Sequence, residues 1–128
     1  MSDSRNQWTH NNTRKSTSLY YPGFEGAWAL GRFTSAVNLT GWNYIDCEIS
    51  TSRQTPEGYF GISQNPNLSS ISLTKMIKVG QNITGQNYKL DVSSNTGVWY
   101  LYIAGKNTFY GGASQNFVTI SDVKLMTQ

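Results

Sequence analysis

The sequence is poor in the residues on which many enzymes and metal sites depend. Its 128 residues include one cysteine, Cys47, and one histidine, His10. A single cysteine excludes an internal disulfide and a cysteine-ligated zinc site. A single histidine in a polar N-terminal stretch is too little for a Ser-His-Asp triad or a histidine-ligated metal. These absences remove the commonest hydrolase and zinc chemistries from consideration.

Charge is also sparse, and it forms no strong pattern. Charged residues make up 13% of the chain, and the formal net charge is +3. Three basic residues, Arg5, Arg14 and Lys15, lie near the N-terminus and the others are scattered, so no basic stripe indicates nucleic-acid binding. The chain also lacks an apolar run long enough for a membrane helix, and its first residues lack the apolar segment of a secretory signal. We therefore expect synthesis in a cytoplasm and no membrane insertion.

Short apolar runs separated by turn residues are abundant from residue 19 onward. Each run has the length of a strand, and the spacing is typical of an all-β sandwich built from two antiparallel sheets. No run keeps a helical period over three turns, and only the stretch 68–77 could hold one short turn of helix. Residues 1–18 are polar and aperiodic. We predict an extended N-terminal arm over residues 1–18 and one sandwich domain over residues 19–128.

Side-chain alternation predicts which residues of three strands face the core. The predicted inward residues are Ile45, Cys47, Ile49, Phe60, Ile62, Trp99, Leu101 and Ile103. Cys47 is accordingly expected to be a buried, unreactive thiol. Trp28, which stands between two alanines, is also predicted to lie in the core.

The last apolar run contains a break in its alternation. Val118 and Ile120 are in phase with each other, but Val123 and Leu125 face the core only if one extra residue is inserted before them. A β-bulge at Ser121 or Asp122 would supply that residue. We predict a bulge at this point.

The outward residues of the same three strands are carboxylates and tyrosines: Asp46, Glu48, Tyr59, Tyr100 and Tyr102. If these strands are neighbours, the side chains form a polar-aromatic platform with Arg32 as a further polar partner. Such a surface suits sugar binding, because aromatic rings stack on pyranose C–H groups while polar groups bind the hydroxyls. A second candidate set consists of the loop aromatics Trp42, Phe109 and Tyr110. Outward tyrosines also stabilise sheets by cross-strand pairing or form protein interfaces, so these alternatives stay open.

Asp46 and Glu48 also raise the question of catalysis. Residues two apart on a strand face lie about 6 to 7 Å from each other, a spacing that fits the carboxylate pair of a glycosidase. A sandwich of this size rarely builds the deep cleft that distorts a sugar ring. We therefore predict that the protein is not an enzyme.

The chain resembles the jelly-roll domains found in structural proteins of phages and prophages of Gram-positive bacteria, which are similar to carbohydrate-binding modules. The resemblance covers roughly residues 24–126 and rests on five motifs, namely PGFEGAWALGRF, VNLTGWNYIDCEIS, YFGIS, YKLDVSSNTGVWYLYIAG and FVTISDVKLM. It implies a jelly-roll sandwich in which Glu25 and Asp122 help to hold a structural calcium ion, and no other cofactor.

The resemblance also implies a virion-associated structural or adhesion protein, located on a phage capsid or tail, which presents its surface to a host cell-surface polysaccharide. In this interpretation Trp8, with Arg5, Arg14 and Lys15, docks the domain on other virion proteins or on further copies in a homo-oligomer. Two alternatives stay open. One is a purely structural decoration or tail protein with protein partners only, and the other is a carbohydrate-binding module of a secreted bacterial enzyme.

Overall fold

A computed structural model gives the structure of residues 7–11, 16–22, 26–52, 57–107 and 115–127, with the backbone alone for 7–11, 22 and 115. These ranges form ten strands: β1 (Gln7–Asn11), β2 (Ser16–Pro22), β3 (Trp28–Arg32), β4 (Val37–Asn38), β5 (Tyr44–Thr51), β6 (Glu57–Ser63), β7 (Lys75–Val79), β8 (Gln86–Asp91), β9 (Val98–Lys106) and β10 (Gln115–Met126). No helix in these ranges could span a membrane. The short helical turn considered for the stretch 68–77 is not formed, because bends lead directly into β7.

The strands form two antiparallel sheets that pack face to face. The first sheet has the order β1-β2-β10-β5-β8, and the second has the order β3-β9-β6-β7 with β4 paired to β9. Consecutive strands repeatedly change sheets, as β5 and β6 do. This alternation between layers is the two-sheet sandwich that the sequence predicted.

The core lies between the sheets and includes the predicted inward residues of both. Ile45, Cys47 and Ile49 from the first sheet are buried against the second sheet, and the predicted residues of β6 and β9 are buried opposite them. The predicted inward residues of all three strands, β5, β6 and β9, are therefore confirmed. Alternation succeeded here because each strand has one face in the core and the other outside it.

The N-terminal residues that the structure describes belong to the first sheet. β1 pairs antiparallel with β2, from Gln7 opposite Tyr20 to Asn11 opposite Ser16. Ser16 and Thr17 are buried, so the predicted boundary at residue 18 falls inside β2. The described residues 7–11 and 16–18 are therefore paired within the first sheet of the sandwich. An edge strand such as β1 needs only backbone pairing on one side, so it does not require the apolar alternation for which we searched.

The predicted bulge is present in β10. The register with β5 shifts between Ser121 and Lys124, and Asp122 adopts a positive φ of 54°. Val123 and Leu125 then pack against the core. The bulge thus restores the inward phase of β10 and turns the Asp122 backbone into a conformation that non-glycine residues rarely adopt.

Residues 39–42 form the turn that leads from β4 to β5. The Trp42 N–H donates to the carbonyl oxygen of Leu39 at 3.0 Å, and Gly41 has a φ of 89°. A positive φ at the third residue of a turn is the type II geometry, for which glycine is the usual choice. The half-buried Trp42 is therefore held at one end of the sandwich.

Candidate functional site

The predicted polar-aromatic platform is split between the two sheets. Asp46 and Glu48 lie on β5 of the first sheet, whereas Tyr59 lies on β6, and Tyr100 and Tyr102 on β9, of the second sheet. The outward faces of the two sheets point in opposite directions. The platform hypothesis is therefore wrong, because it assumed that β5 pairs with β6 or β9, whereas β5 pairs with β8 and β10.

The outer face of the second sheet is covered by residues 64–74, which we name the covering segment. Leu68, Ile71 and Leu73 of this segment pack on an outer cluster that includes Tyr59 and Tyr102. Tyr102 is 1% exposed and Tyr59 is 9% exposed. Both tyrosines point away from the main core as predicted, yet they are largely buried in a second, smaller core beneath the covering segment.

Tyr59 is also engaged in a polar network at the edge of this face. Its hydroxyl donates to the carboxylate of Glu57, and Lys78 lies 3.4 Å from the same carboxylate oxygen. Burial, followed by the bond to Glu57, raises the pKa of Tyr59 to about 12. The donated hydrogen bond, and then Lys78, lower the pKa of Glu57.

Tyr100 and Arg32 contact each other on this same face. The guanidinium carbon of Arg32 lies 4.8 Å from the centroid of the Tyr100 ring, a cation–π distance. Arg32 also donates from Nη1 to the carbonyl oxygen of Pro66 at 2.9 Å. Both side chains are half-buried. Arg32 binds the covering segment and Tyr100 packs beside it, so both residues help to hold this segment on the sheet.

Trp28 lies on the outside of the second sheet, and its prediction as a core residue is wrong. Ala27 and Ala29 are the buried, inward neighbours, so the large ring has the opposite orientation and packs on the outer cluster. An adjoining hollow of about 410 Å³ is lined by Trp28, Tyr59, Ser70, Ile71, Met76 and Lys106. Its lining is mainly apolar, and it offers few hydrogen-bonding groups to a sugar.

The outer face of the first sheet contains a polar groove. The groove has a volume of about 370 Å³ and is lined by Asp46, Glu48, Asn87, Asp122, Val123 and Lys124. These residues come from β5, β8 and the bulge of β10, three adjacent strands. Asp46 and Glu48 thus share the groove with the Asn87 amide, the Asp122 carboxylate and the Lys124 ammonium group. They do not share it with the tyrosines with which the sequence analysis grouped them.

Asp46 is the most buried charged group of the groove. The residue is 8% exposed, and its Oδ1 atom has no hydrogen-bond partner among the described residues. In the register Asp46 lies between Lys89 of β8 and Lys124 of β10. A buried carboxylate oxygen without a donor is costly, so this site is suited to a donor that comes from outside the protein.

Aromatic rings that the sequence analysis did not select lie at both ends of this face. Tyr44 lies two residues before Asp46, and the Lys89 ammonium is 5.7 Å from its ring centroid. At the other end the rings of Tyr20 and Phe117 pack with their centroids 6.3 Å apart. Alternation alone places Tyr44 on the face of Asp46, so this residue could have been found from the sequence.

The predicted calcium site is only partly within the described structure. Asp122 lines the groove and is exposed, while Glu25 lies outside the described residues. Within the ranges that the structure describes, no three His, Cys, Asp or Glu side chains are grouped so that they could hold a metal ion.

Several predicted residues cannot be placed. Phe109, Tyr110, Arg5, Arg14 and Lys15 lie outside the described residues. For Trp8 the structure gives the backbone alone, opposite Leu19 in the pairing of β1 with β2. The assembly role of Trp8, Arg5, Arg14 and Lys15 stays a prediction, as does the sugar-binding role of Phe109 and Tyr110.

Cys47 is buried as predicted, and its reactivity can be tested. Burial, and then the negative charge of Asp46, raise the pKa of the thiol from 9.0 to about 12. Because the thiolate is the reactive form, we expect alkylation by iodoacetamide at neutral pH to be more than about a hundredfold slower in the native protein than in urea. Mass spectrometry would follow the reaction, with Cys47→Ser as the unreactive control. Equal rates in the two conditions would contradict the buried thiol.

Comparison with solved structures places the fold in a known class. A family 11 carbohydrate-binding module from Clostridium thermocellum, in complex with a β-1,3-1,4-mixed-linked tetrasaccharide, matches with a TM-score of 0.59. It has 10% identity, over 94% of this chain and 81% of that one. The module CsCBM6-3 from Clostridium stercorarium, in complex with cellobiose, matches with a TM-score of 0.51. It has 9% identity, over 98% and 84% of the two chains.

The likeness shows the fold, which is the jelly-roll β-sandwich that we predicted. A low-affinity xylan-binding module, CBM86 from Roseburia intestinalis, also matches with a TM-score of 0.50 and 8% identity, over 95% of this chain and 88% of that one. No protein-family model and no curated protein matches the sequence. The structures reported above are carbohydrate-binding modules, and they give no indication of the phage origin that the sequence resemblance implied.

Proposed function

We propose that this protein is a non-catalytic carbohydrate-binding module and that its site is the groove on the outer face of the first sheet. The observation on which this proposal rests is the groove itself. Carboxylates, an amide and an ammonium group from three adjacent strands meet there on a sheet face that the covering segment does not reach. The jelly-roll fold, shared with modules that were solved with bound sugars, supports the same function.

The chemistry of the groove suits a polyhydroxylated ligand. Carboxylates such as Glu48 accept hydrogen bonds from sugar hydroxyls, the Asn87 amide both donates and accepts, and the Lys124 ammonium donates to ring or hydroxyl oxygens. Tyr44, on the same strand face about 6 to 7 Å from Asp46, is placed to stack on the apolar side of a neighbouring sugar ring. An open face also lets an extended chain lie across the strands.

The covering of the second sheet favours the first sheet as the binding face. Tyr59 and Tyr102 are buried under the covering segment, and Arg32 is bonded to it. Outside the apolar hollow beside Trp28, a ligand on that face would have to displace packed side chains. The first sheet requires no such rearrangement, and a largely preformed site is the usual arrangement for small-ligand binding.

As the setting of this function we propose the surface of a phage particle, on the strength of the sequence resemblance. Repeated copies on a particle would raise the strength of weak individual sugar contacts through effective concentration. Docking through the N-terminal residues and a structural calcium ion belong to this same proposal. A module of a secreted enzyme would use the identical groove, and co-purification of the chain with phage particles would distinguish the two settings.

The proposal predicts that a Glu48→Ala, Asn87→Ala double variant loses glycan binding. Removing an acceptor and an amide that contact hydroxyls should weaken binding by at least about tenfold. A panel of cell-wall and plant-type polysaccharides would be screened by affinity electrophoresis, and the best ligand measured by calorimetry. Circular dichroism would confirm that the variant is folded.

A matched double variant on the other sheet separates the two faces. Tyr100→Ala with Met76→Ala changes one half-buried and one exposed side chain of the second sheet and should leave binding unchanged. Loss of binding in this variant alone would move the site to the second sheet. If the wild-type protein binds no polysaccharide at all, the binding proposal fails and a purely structural role with protein partners becomes the better interpretation.

A further inference from the structure

We infer that the groove prefers glycans with free amino groups, such as glucosamine-containing chains, over neutral and acidic glycans. The inference rests on the proposed function and specifies the charge of its ligand. It follows from the charges that line the groove and from the lack of internal partners for them.

The groove contains more negative than positive charge. Asp46, Glu48 and Asp122 line it, against Lys124 as the lining cation. Lys89 lies opposite Asp46 in the register, and its ammonium lies near the ring of Tyr44. The groove is therefore acidic, although the whole chain has a formal net charge of +3.

The groove carboxylates are not neutralised by ion pairs within the described residues. The ion pair that the described residues do contain joins Lys78 to Glu57, and it lies on the second sheet, away from the groove. No described cation lies within 4.0 Å of the carboxylates of Asp46, Glu48 or Asp122. Their negative charge is thus available to a ligand that enters the groove.

Asp46 provides an independent indication of a missing partner. Its side chain is more than nine-tenths buried and lines the groove, and its Oδ1 atom has no hydrogen-bond donor in the described structure. A buried carboxylate oxygen without a donor is unfavourable, and the neighbouring Lys89 and Lys124 of the register form no ion pair with Asp46. A cationic ligand in the groove would reduce this cost more than a neutral hydroxyl, because an ammonium group supplies an opposite charge as well as an N–H donor, whereas a hydroxyl supplies the donor alone.

Sugar chemistry offers one common group with this character. A free amino sugar presents an ammonium group with three N–H donors on a ring that is otherwise hydroxylated, so it meets both the charge and the hydrogen-bonding needs of the groove. An N-acetylated sugar of the same shape has no charge, and a uronic acid would add a fourth carboxylate. The expected order of affinity is amino sugar, then neutral sugar, then acidic sugar.

The experiment compares chitosan hexamer with the N-acetylated chitin hexamer, cellohexaose and a polygalacturonate oligomer at mildly acidic pH and low salt. We expect the chitosan hexamer to bind the full chain about tenfold more tightly than the chitin hexamer. Glu48→Gln should remove most of this difference. Glu57→Gln, the same substitution on the second sheet, should preserve it, and both variants would be checked for folding by thermal unfolding.

The outcomes separate this inference from the proposed function. Equal binding of the chitosan, chitin and cellulose oligomers would overturn the charge preference and leave the binding proposal intact. Failure of every oligosaccharide to bind would overturn both. A hexalysine peptide provides a control for simple charge attraction, and if it binds as tightly as the chitosan hexamer, recognition of an amino sugar is overturned.

Discussion

The Tyr102→Ala variant is expected to lower the free energy of unfolding by about 3 to 5 kcal/mol, the range for deleting a buried aromatic ring. Tyr102 is 1% exposed and packs with Leu30 and Tyr59 beneath the covering segment. Its hydroxyl donates to the carbonyl oxygen of Asn65 at 2.5 Å and accepts from the Leu68 N–H at 3.4 Å. The substitution therefore removes both the packing and the polar attachment of this segment. Urea unfolding followed by tryptophan fluorescence would measure the change.

Tyr102→Phe separates the two contributions. It keeps the ring and removes the hydroxyl, so we expect a loss of about 1 to 2 kcal/mol. We also expect faster hydrogen exchange of the Leu68 amide, with little change in the core strands. If Tyr102→Ala costs less than about 1 kcal/mol, the covering segment is not a cooperative part of the fold and the second sheet presents a free face after all.

Gly61→Ala is the second substitution for which we expect a large effect. A Cβ atom added to Gly61 would collide with the backbone carbonyl oxygen of Lys75 and lie 2.8 Å from the Cβ of Met76. These atoms belong to β7, the strand paired with β6 at this position, so relief requires a shift of the backbone. We expect a loss of about 3 kcal/mol, the upper end of the usual range for overpacking, and a melting temperature lower by roughly 10 °C.

Gly80→Ala is the matched control for this prediction. Gly80 is exposed just after β7, and nothing lies within 4 Å of a Cβ atom built there. The same change of residue should therefore leave the melting temperature within about 2 °C of the wild-type value. If scanning calorimetry gave equal shifts for the two variants, the close approach of β6 and β7 at Gly61 would be contradicted.

Alternation along single strands predicted the part of the fold that depends on local sequence. A strand that is buried on one face must repeat apolar residues with a period of two, so the inward residues of β5, β6 and β9 could be identified. The bulge near Asp122 was found in the same way, as a change of phase. Both predictions were confirmed because the core imposes the same rule on every strand that lines it.

The pairing of strands could not be predicted by this route, and the candidate site depends on it. Alternation shows that Asp46 and Tyr59 point away from the core, but it does not show that they lie on opposite sides of the sandwich. Tyr102 illustrates a second limit, because a residue that points away from the main core can still be buried by a segment that crosses over it. The covering segment has no regular period, so nothing in its pattern indicated where it packs.

The position of β10 in the first sheet has a consequence for biosynthesis. This strand fills the centre of the sheet, with β2 and β5 on either side, yet it is made after every other strand in the described chain. Until β10 emerges from the ribosome, β2 and β5 therefore each have an unpaired edge and no common neighbour. Sheet closure and formation of the groove must therefore follow release of residues 115–126 from the exit tunnel, so the first sheet cannot form in full before its last-made strand is available.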